Sequence, residues 1–570
     1  MAEEKKMING GDVLIKCLLQ ENVKYMFGIP GGQFLTMYDA IYRWGREQGI
    51  DTVMFRHEQA AAHAADAWAR VTNNPGVCFG TVGPGATNLV PGVGAAWSDN
   101  IPVVTIVPQV NSRFEDSFTL QGNLDQITMF KPITKYQKSI RELEKIPDAV
   151  QKAFREAVSG RPRPVLIEIF EDAFLAEIEE AKISIKPKES YRPILKPSID
   201  NTLIKKSLEL LLEAEKPLII SGGGVNRAEG YKELQEFAEY LQIPVVTTVM
   251  GVGTISNASK CLIGTTVGGF VKNVSLHADL VLALGCKFSF IMGHGEEPFW
   301  KNSQKMIQVD IDPSIIGRAK PLTLGVVGDC KMFLTQILEE AKKINRIEKR
   351  DWLDDLSGNN QNYIKKYITK ASKDKIPITP ERLVKDVLEF IDDDAILVID
   401  GGDIEVYTIE QINFYKPRPP LSTLASICMG HLGTAIPYVI GSKLAKPNKQ
   451  VVAIAGDGSF MMNIQDLETA VRLGLKNAII VIANNNAWGM IRSCQNKYMG
   501  KRCIDVDLPE FNYAKAAEAF GCYGEVVTDP NEIKPALERA KNSNKVAVLD
   551  VKIAQTMPEG TKLMASMGVL

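Results

Sequence analysis

Apolar residues along this chain follow two periods. Between Asp12 and Glu21 they recur as Val13, Leu14, Cys17 and Leu18, the spacing of one helix face. Tyr25–Gly28 is then a short run closed by Pro30-Gly31-Gly32, which reads as a strand and its turn. Runs of the same kind fall at 77–81, 103–107 and 165–169. Strands that alternate with helices predict an α/β fold with a parallel sheet and helices on both faces. Residues 1–182 make the first such domain, and a Lys- and Pro-bearing linker covers 183–199. The pattern resumes near Asn201. A strand at 217–220 runs into Ser221-Gly222-Gly223-Gly224, and a helix is expected from about Gly230. Further strands are expected at Leu280–Leu284 and 306–309, the latter leading into Asp310-Ile311-Asp312-Pro313. This second domain, 200–340, reads as Rossmann-type. A charged, helical connector at 339–375 leads to a third domain, 376–556. There Thr379 is placed to cap a helix with Pro380 in its first position. Strands are expected at 395–399, 451–455, 478–483 and 546–551. The expected architecture is α/β, with three doubly wound parallel-sheet domains. The tail, 557–570, carries Met557, Met564 and Met567 and is either a cover for a site or a loosely docked terminus.

Composition narrows the function. The 570 residues include 66 Lys plus Arg and 68 Asp plus Glu, a net charge of −2. That balance does not point to nucleic acid or to an acidic membrane. No apolar run reaches membrane-spanning length, and MAEEKKMING lacks the apolar core of a signal peptide. Nine cysteines without a CxxC pair read as reduced thiols in a cytoplasmic protein. The five histidines show no zinc-ligand spacing.

Candidate chemistry concentrates between Gly456 and Gly489. Gly456-Asp457-Gly458 follows the apolar run 451–455, and Asn485-Asn486 follows the run 478–483. This is a strand–turn–helix–strand unit with oxygen ligands at both strand ends. Mg²⁺ prefers octahedral oxygen ligation and keeps phosphate oxygens in its shell. Asp457 offers a carboxylate oxygen, Asn485 an amide oxygen and Ala487 a backbone carbonyl. Gly456 and Gly458 are expected to let the backbone approach a phosphate closely. Ligands of open parallel sheets sit at the carboxyl ends of strands, where these residues fall.

The motif resembles the cofactor signature of thiamine diphosphate (ThDP) enzymes. A second motif, RHEQAAAHAADAWAR at 56–70, is similar to the segment in which those enzymes carry a glutamate that hydrogen-bonds N1′ of the aminopyrimidine. The resemblance assigns that role to Glu58. His57 either lines the cofactor or makes a helix-start hydrogen bond. Residues from about 8 to 555 resemble the three-domain family that includes acetolactate synthase. The resemblance implies a pyrimidine-binding first domain and a diphosphate-binding third domain that meet across subunits. It therefore implies a homodimer at minimum, commonly a homotetramer. It also implies cofactor contacts at Gly83, Gly456, Gly458, Ser459 and Asn485. Leu432 is the candidate apolar wedge beneath the bent cofactor, with ordinary core packing as the alternative. His431 beside it is a candidate for steering protons. Asp403 stands where relatives carry a neutral diphosphate contact.

The subfamily is less plain. Phe27-Gly28-Ile29-Pro30-Gly31-Gly32 and Gly83-Pro84-Gly85-Ala86-Thr87-Asn88 look like acetolactate synthase. The Arg that binds the acceptor carboxylate there is missing from Cys286-Lys287-Phe288-Ser289-Phe290-Ile291. Cys494 stands in place of an acceptor-selecting Trp, and Lys287 or Arg492 is left as a substitute cation. Thr119-Leu120-Gln121, Gly293-His294-Gly295 and Asn485-Asn486-Ala487-Trp488-Gly489 are similar to benzaldehyde lyase, and the second also to 2-hydroxyacyl-CoA lyases. Gln121 is the polar active-site candidate. These departures favour a Mg²⁺/ThDP-dependent lyase or carboligase that acts next to a carbonyl through a C2-thiazolium ylide. The alternatives are an acetolactate synthase homologue, a flavin-dependent 2-keto-acid oxidase and a non-catalytic homologue. The glycine turn at 222–224, with Asp310 or Asp312, leaves FAD, ADP or CoA, or an empty central domain all open.

Overall fold

The computed structural model describes residues 6–122, 124–192 and 196–566. Residues 1–5, Met567 and the side chain of Met564 lie outside the described part. Along the chain come α1 (Gly10–Gln20), β1 (Tyr25–Gly28), β2 (Asp51–Met54), α2 (Glu58–Thr72), β3 (Gly76–Phe79), α3 (Pro84–Asp99), β4 (Val103–Gln109), β5 (Gln137–Ile140) and β6 (Val165–Phe170). They are followed by α4 (Asn201–Glu213), β7 (Pro217–Ser221), α5 (Gly223–Ala228), α6 (Tyr231–Leu241), β8 (Val245–Thr247), β9 (Leu262–Thr265), β10 (Leu280–Leu284), β11 (Lys305–Asp310), β12 (Leu324–Val327) and α7 (Asp351–Ala371). The last stretch holds α8 (Pro380–Phe390), β13 (Ile396–Asp400), α9 (Asp403–Gln411), β14 (Thr423–Ala425), α10 (Ala435–Ala445), β15 (Val451–Gly456), α11 (Asp457–Met461), β16 (Ala478–Asn484), α12 (Gly489–Tyr498), β17 (Tyr523–Val527), β18 (Val546–Lys552) and α13 (Glu559–Ser566).

The strands form three six-stranded sheets, all parallel. The first runs β2-β1-β3-β4-β6-β5 and the third runs β14-β13-β15-β16-β18-β17. Numbered within each sheet, both orders are 2-1-3-4-6-5, so one topology is used twice. The central sheet runs β9-β8-β7-β10-β11-β12, the 3-2-1-4-5-6 order of a Rossmann domain. Strand order reverses between β13 and β15, where a crevice opens at the carboxyl ends. The register sets Asp400 beside Ala455 and Gly456 beside Ala483, which brings the ends of β13, β15 and β16 to one edge.

Local chemistry explains the element starts. Asn9 accepts from the Asp12 amide while Asp12 accepts from that of Asn9, so α1 begins before the apolar pattern does. Thr379 caps α8 through the Arg382 amide, with Pro380 next. The helix expected from about Gly230 is α6, with Gly230 at its cap, and a shorter helix, α5, opens on the glycine turn before it. A Cβ on Gly222 would lie 2.2 Å from the Gly285 carbonyl oxygen, and one on Gly224 2.6 Å from Gly285 Cα. The glycines let two backbones touch, and the helix starts there.

The chain forms two compact units. The first holds the described residues of Met1–Leu195 with Ser426–Pro447 and Asn463–Leu473. The second holds Lys196–Ala425, Asn448–Met462 and the described residues of Gly474–Leu570. In the first unit the alanine-rich α2 is buried against α3 and α10. Small residues permit the close approach: a Cβ on Gly441 would sit 2.4 Å from the Ala64 carbonyl oxygen. Gly441→Ala is expected to force α2 and α10 apart at a cost of about 1–3 kcal/mol. A lowered onset of thermal unfolding checks it.

Candidate active site

In the second unit, β15 ends at the Gly456-Asp457-Gly458 turn and β16 at Asn484. Of the three successive asparagines, Asn484 is structural. Its Nδ2 donates to Asp550 Oδ1 (2.8 Å) and its Oδ1 accepts from the Asn486 amide (3.1 Å). That bond turns the chain so that Asn485 stands at the edge. Asp457 Oδ1 accepts from the Gly458 amide (2.9 Å). Oxygens Asp457 Oδ2, Asn485 Oδ1, Asn486 Oδ1 and Gln555 Oε1 are all buried without a hydrogen-bond partner. Burial pushes the Asp457 carboxyl up to about 6, against the backbone amides of Gly458, Ala487 and Asn486 that favour its charged form. Desolvated acceptors without donors are costly, and a hard cation relieves that cost. Ala487 pairs with Asp507 through bonds from Trp488 N–H to Val506 and from Leu508 N–H to Asn486, which leaves its own carbonyl outside the ladder. Among the described residues no three His, Cys, Asp or Glu side chains cluster as a metal set. A cation held here would draw on amide and carbonyl oxygens beside one carboxylate.

Gly458 has a further reason to be glycine. A Cβ there would meet the Trp488 ring at 2.7 Å, so this glycine makes room for an indole of its own loop. Gly456 is the open position, its nearest neighbour being Ser459 Oγ at 3.6 Å, and Ser459 is buried.

In the first unit Glu58 opens α2, 6% exposed, and its Oε2 accepts from Asn88 Nδ2 (2.9 Å). His57 is the cap: its Nδ1 accepts from the Gln59 amide (3.1 Å). Gly83 has φ +71°, and a Cβ on it would lie 2.6 Å from the carbonyl of Gln121, itself left-handed at φ 64°. Gly83 and Gln121 are therefore brought together. The residue that ties this turn down is Gln126, fully buried, which accepts from the Gly83 amide and donates to Pro108 and Glu168. Its neighbours in the sequence, Asp125 and Ile127, gave no sign of that role.

His431 Nδ1 lies 2.8 Å from the Leu432 carbonyl, so it carries the proton and leaves Nε2 as the lone-pair nitrogen. Burial lowers its pKa and the bond to Leu432 opposes this. Its ring packs 4.8 Å from that of His63, a wholly buried imidazole whose two nitrogens have no partner. Leu432 is only partly buried, which sets it apart from core leucines.

Asp403 begins α9. Its Oδ1 accepts from Thr561 Oγ1 (2.9 Å), its Oδ2 is buried and unpartnered, and burial pushes it up to about 7. Seven residues on, Glu410 accepts from the Gly560 amide (3.0 Å) and burial likewise pushes it up to about 7. The described part of the tail is thus helix α13, docked on α9 by its first turn. Burial makes both carboxyls hold a proton more tightly in the folded protein than in the unfolded chain, while the Thr561 and Gly560 bonds favour their charged forms. The stability they contribute is therefore full below their ordinary values, near about 4, and is lost as pH rises through about 7. Thermal unfolding is expected to begin at lower temperature at about pH 8 than at about pH 6, and Asp403→Asn with Glu410→Gln to flatten that dependence.

Near α12, Arg492, one of the two substitute cations, pairs with the exposed Asp507 (3.1 Å). Cys494 is half-buried and lies in the field of Asp403. The glycine turn of the central sheet is filled by the chain itself, Gly223 facing Met250 and its neighbours Gly285. Among the described residues no cysteine is in a disulfide. Among the described residues no helix is long and apolar enough to cross a membrane.

Three family models match in order: the N-terminal TPP-binding domain of thiamine pyrophosphate enzymes at residues 8–129, the central domain at 204–337 and the C-terminal TPP-binding domain at 400–551. The fold and the site thus define a thiamine-diphosphate-dependent enzyme. The "Probable acetolactate synthase large subunit" of Methanocaldococcus jannaschii is 35% identical over 565 residues, 97% of this chain and 93% of that protein. The acetolactate synthase large subunit of Corynebacterium glutamicum is 34% identical over 94% of this chain and 85% of its own length. Isozyme 3 of Escherichia coli is 32% identical over 96% and 95%. The chain belongs to the acetolactate synthase large-subunit family, whose members form carbon–carbon bonds.

Proposed function

We propose that this protein is a Mg²⁺- and ThDP-dependent carboligase of the acetolactate synthase kind, which takes a 2-keto acid donor and joins it to a second 2-keto acid. This reading favours the synthase alternative over the lyase preferred from the missing pocket residues, and the relatives' names support it. The observation that carries it is the group of buried, unpartnered oxygens around Asp457 and Asn485 at the crevice of the third sheet. Asp457, Asn485 and the Ala487 carbonyl hold Mg²⁺. Gly456 and Ser459 line the diphosphate end. Glu58 holds the pyrimidine and the proton at N1′, with Asn88 fixing its carboxylate. Leu432 supports the bend of the cofactor, and His431 and Gln121 face proton transfer and substrate. When bound, ThDP supplies the electron sink that lets a bond next to a carbonyl be broken and remade. A homodimer completes the site. Phe118 and Leu120, largely exposed beside Gln121, support that association.

A second reading keeps the chemistry and changes the acceptor to an aldehyde, with cleavage as the reverse. The Arg492–Asp507 pair favours it, since that guanidinium already has a carboxylate partner. Incubation with ¹³C-pyruvate alone, and with pyruvate plus an aldehyde, separates the two. Acetolactate from pyruvate alone supports the first reading. A mixed acyloin formed in preference to acetolactate supports the second.

A further inference from the structure

The segment 426–434 carries His431 and Leu432 and has no helix or strand, yet the structure fixes it at both ends. At the start, Asp99 Oδ2 accepts from the Ile427 amide and Oδ1 from the Cys428 amide, each at 3.0 Å. The same carboxylate takes Arg70 Nη2 at 2.9 Å. Arg70 is held in turn by Asp66 (2.8 and 3.1 Å), and Asp66 accepts from Tyr438 Oη (2.6 Å). At the far end, the buried Asn463 donates through Nδ2 to the Gly433 carbonyl (2.7 Å). Between the clamps only Met429, Gly430, His431 and Leu432 are left to project, and Met429 lies over Gly94.

Helix stability does not account for Asp99. It is the last residue of α3, where a carboxylate opposes the helix dipole. A buried carboxylate is also expensive unless its hydrogen bonds are complete. Here they are complete, and two of them go to successive amides of an irregular segment. The arrangement spends its polar groups on holding 427 and 428 in place. Asn463 follows the metal turn by a few residues and ties its segment to the other end of the same loop.

We propose that Asp99 and Asn463 are positioning residues that clamp the two ends of segment 426–434 and so set Leu432 and His431 against the cofactor. The inference rests on the ThDP reading. The test uses the full-length protein with ThDP and Mg²⁺: wild type, Asp99→Asn, Asn463→Ala and Leu432→Ala. Three quantities are read: ThDP affinity, exchange of the C2 proton of bound ThDP in D₂O without substrate, and amide exchange of peptides covering 426–434. Both clamp variants should speed amide exchange of the segment by about tenfold or more while α2 and α10 keep their protection. They should slow C2 exchange about tenfold and change ThDP affinity by less than about threefold. In the Leu432→Ala background they should add less than about a factor of two, because all act through one contact. Wild-type C2 exchange in a variant whose segment is loosened overturns the proposal, as does a full further loss in the Leu432→Ala background. If Asp99→Asn does not fold, Asn463→Ala, which loses only the bonds to Gly433 and from Gln465, decides it alone. A wild-type protein that fails to bind ThDP overturns the functional reading itself, and that result is distinct from either of the others.

Discussion

Replacing Glu58 with glutamine is expected to lower kcat by about three orders of magnitude, within the range of about 10²–10⁴ for a lost proton-transfer group. Glutamine matches the shape of glutamate and keeps an oxygen for Asn88, so α2 and its first turn should be undisturbed. What is lost is the ability to hold a proton at the pyrimidine. The diphosphate end is bound by other residues, so ThDP affinity should change far less than kcat. The split between kcat and ThDP affinity is the measurement. Full activity in Glu58→Ala would sink the assignment, since alanine has no group to hold the proton.

Asp457→Ala should remove Mg²⁺-dependent retention of ThDP. Loss of a residue that merely supports a metal ligand costs about 10–100-fold in affinity, so loss of the sole carboxylate of the set should exceed about 100-fold. Titration calorimetry with Mg²⁺ reads this directly. The wild-type apoprotein should also lose Mg²⁺ affinity in acid. With its carboxyl raised to about 6, Asp457 is protonated below that pH, and each cation bound must displace a proton. Affinity should fall about tenfold per pH unit below about 6 and be level above it. An Asp457→Ala variant that still needs Mg²⁺ to bind ThDP would place the cation elsewhere.

The sequence carried the strands well because each buried parallel strand is a continuous apolar run, and 25–28, 280–284 and 478–483 read off directly. The oxygens proposed as ligands were legible for a related reason: a polar residue at the end of such a run must lie at the sheet edge. Which asparagine faces the edge was fixed by Asp550, distant in sequence, and matched the family motif. Gly458 shows the limit. A glycine in a phosphate-type turn suggests backbone approach, but the ring that fills its space belongs to Trp488, thirty residues on. Asp403 was opaque for the same cause, because Thr561, which holds its carboxyl, lies in the tail. Asp99 and Asn463 were not legible, since nothing in their neighbours tells of a loop more than 300 residues away for Asp99. The lyase expectation came from the absent Arg, from Cys494 and from three short lyase-like motifs around Gln121, His294 and Trp488. Such positions retune an acceptor pocket without disturbing the scaffold, and across most of the chain the relatives are synthases.

The most direct test is acid quench of the holoenzyme during turnover, followed by NMR of the cofactor extracted from it. The donors are pyruvate, oxalyl-CoA, a 2-hydroxyacyl-CoA and an aromatic acyloin. The account predicts a covalent C2 adduct of ThDP with pyruvate that forms only with Mg²⁺ present and is lost in Glu58→Gln, with acetolactate accumulating. Bound ThDP with no adduct from any of these donors would contradict it. An adduct from the acyloin or an acyl-CoA donor but none from pyruvate would keep the cofactor chemistry and overturn the synthase assignment.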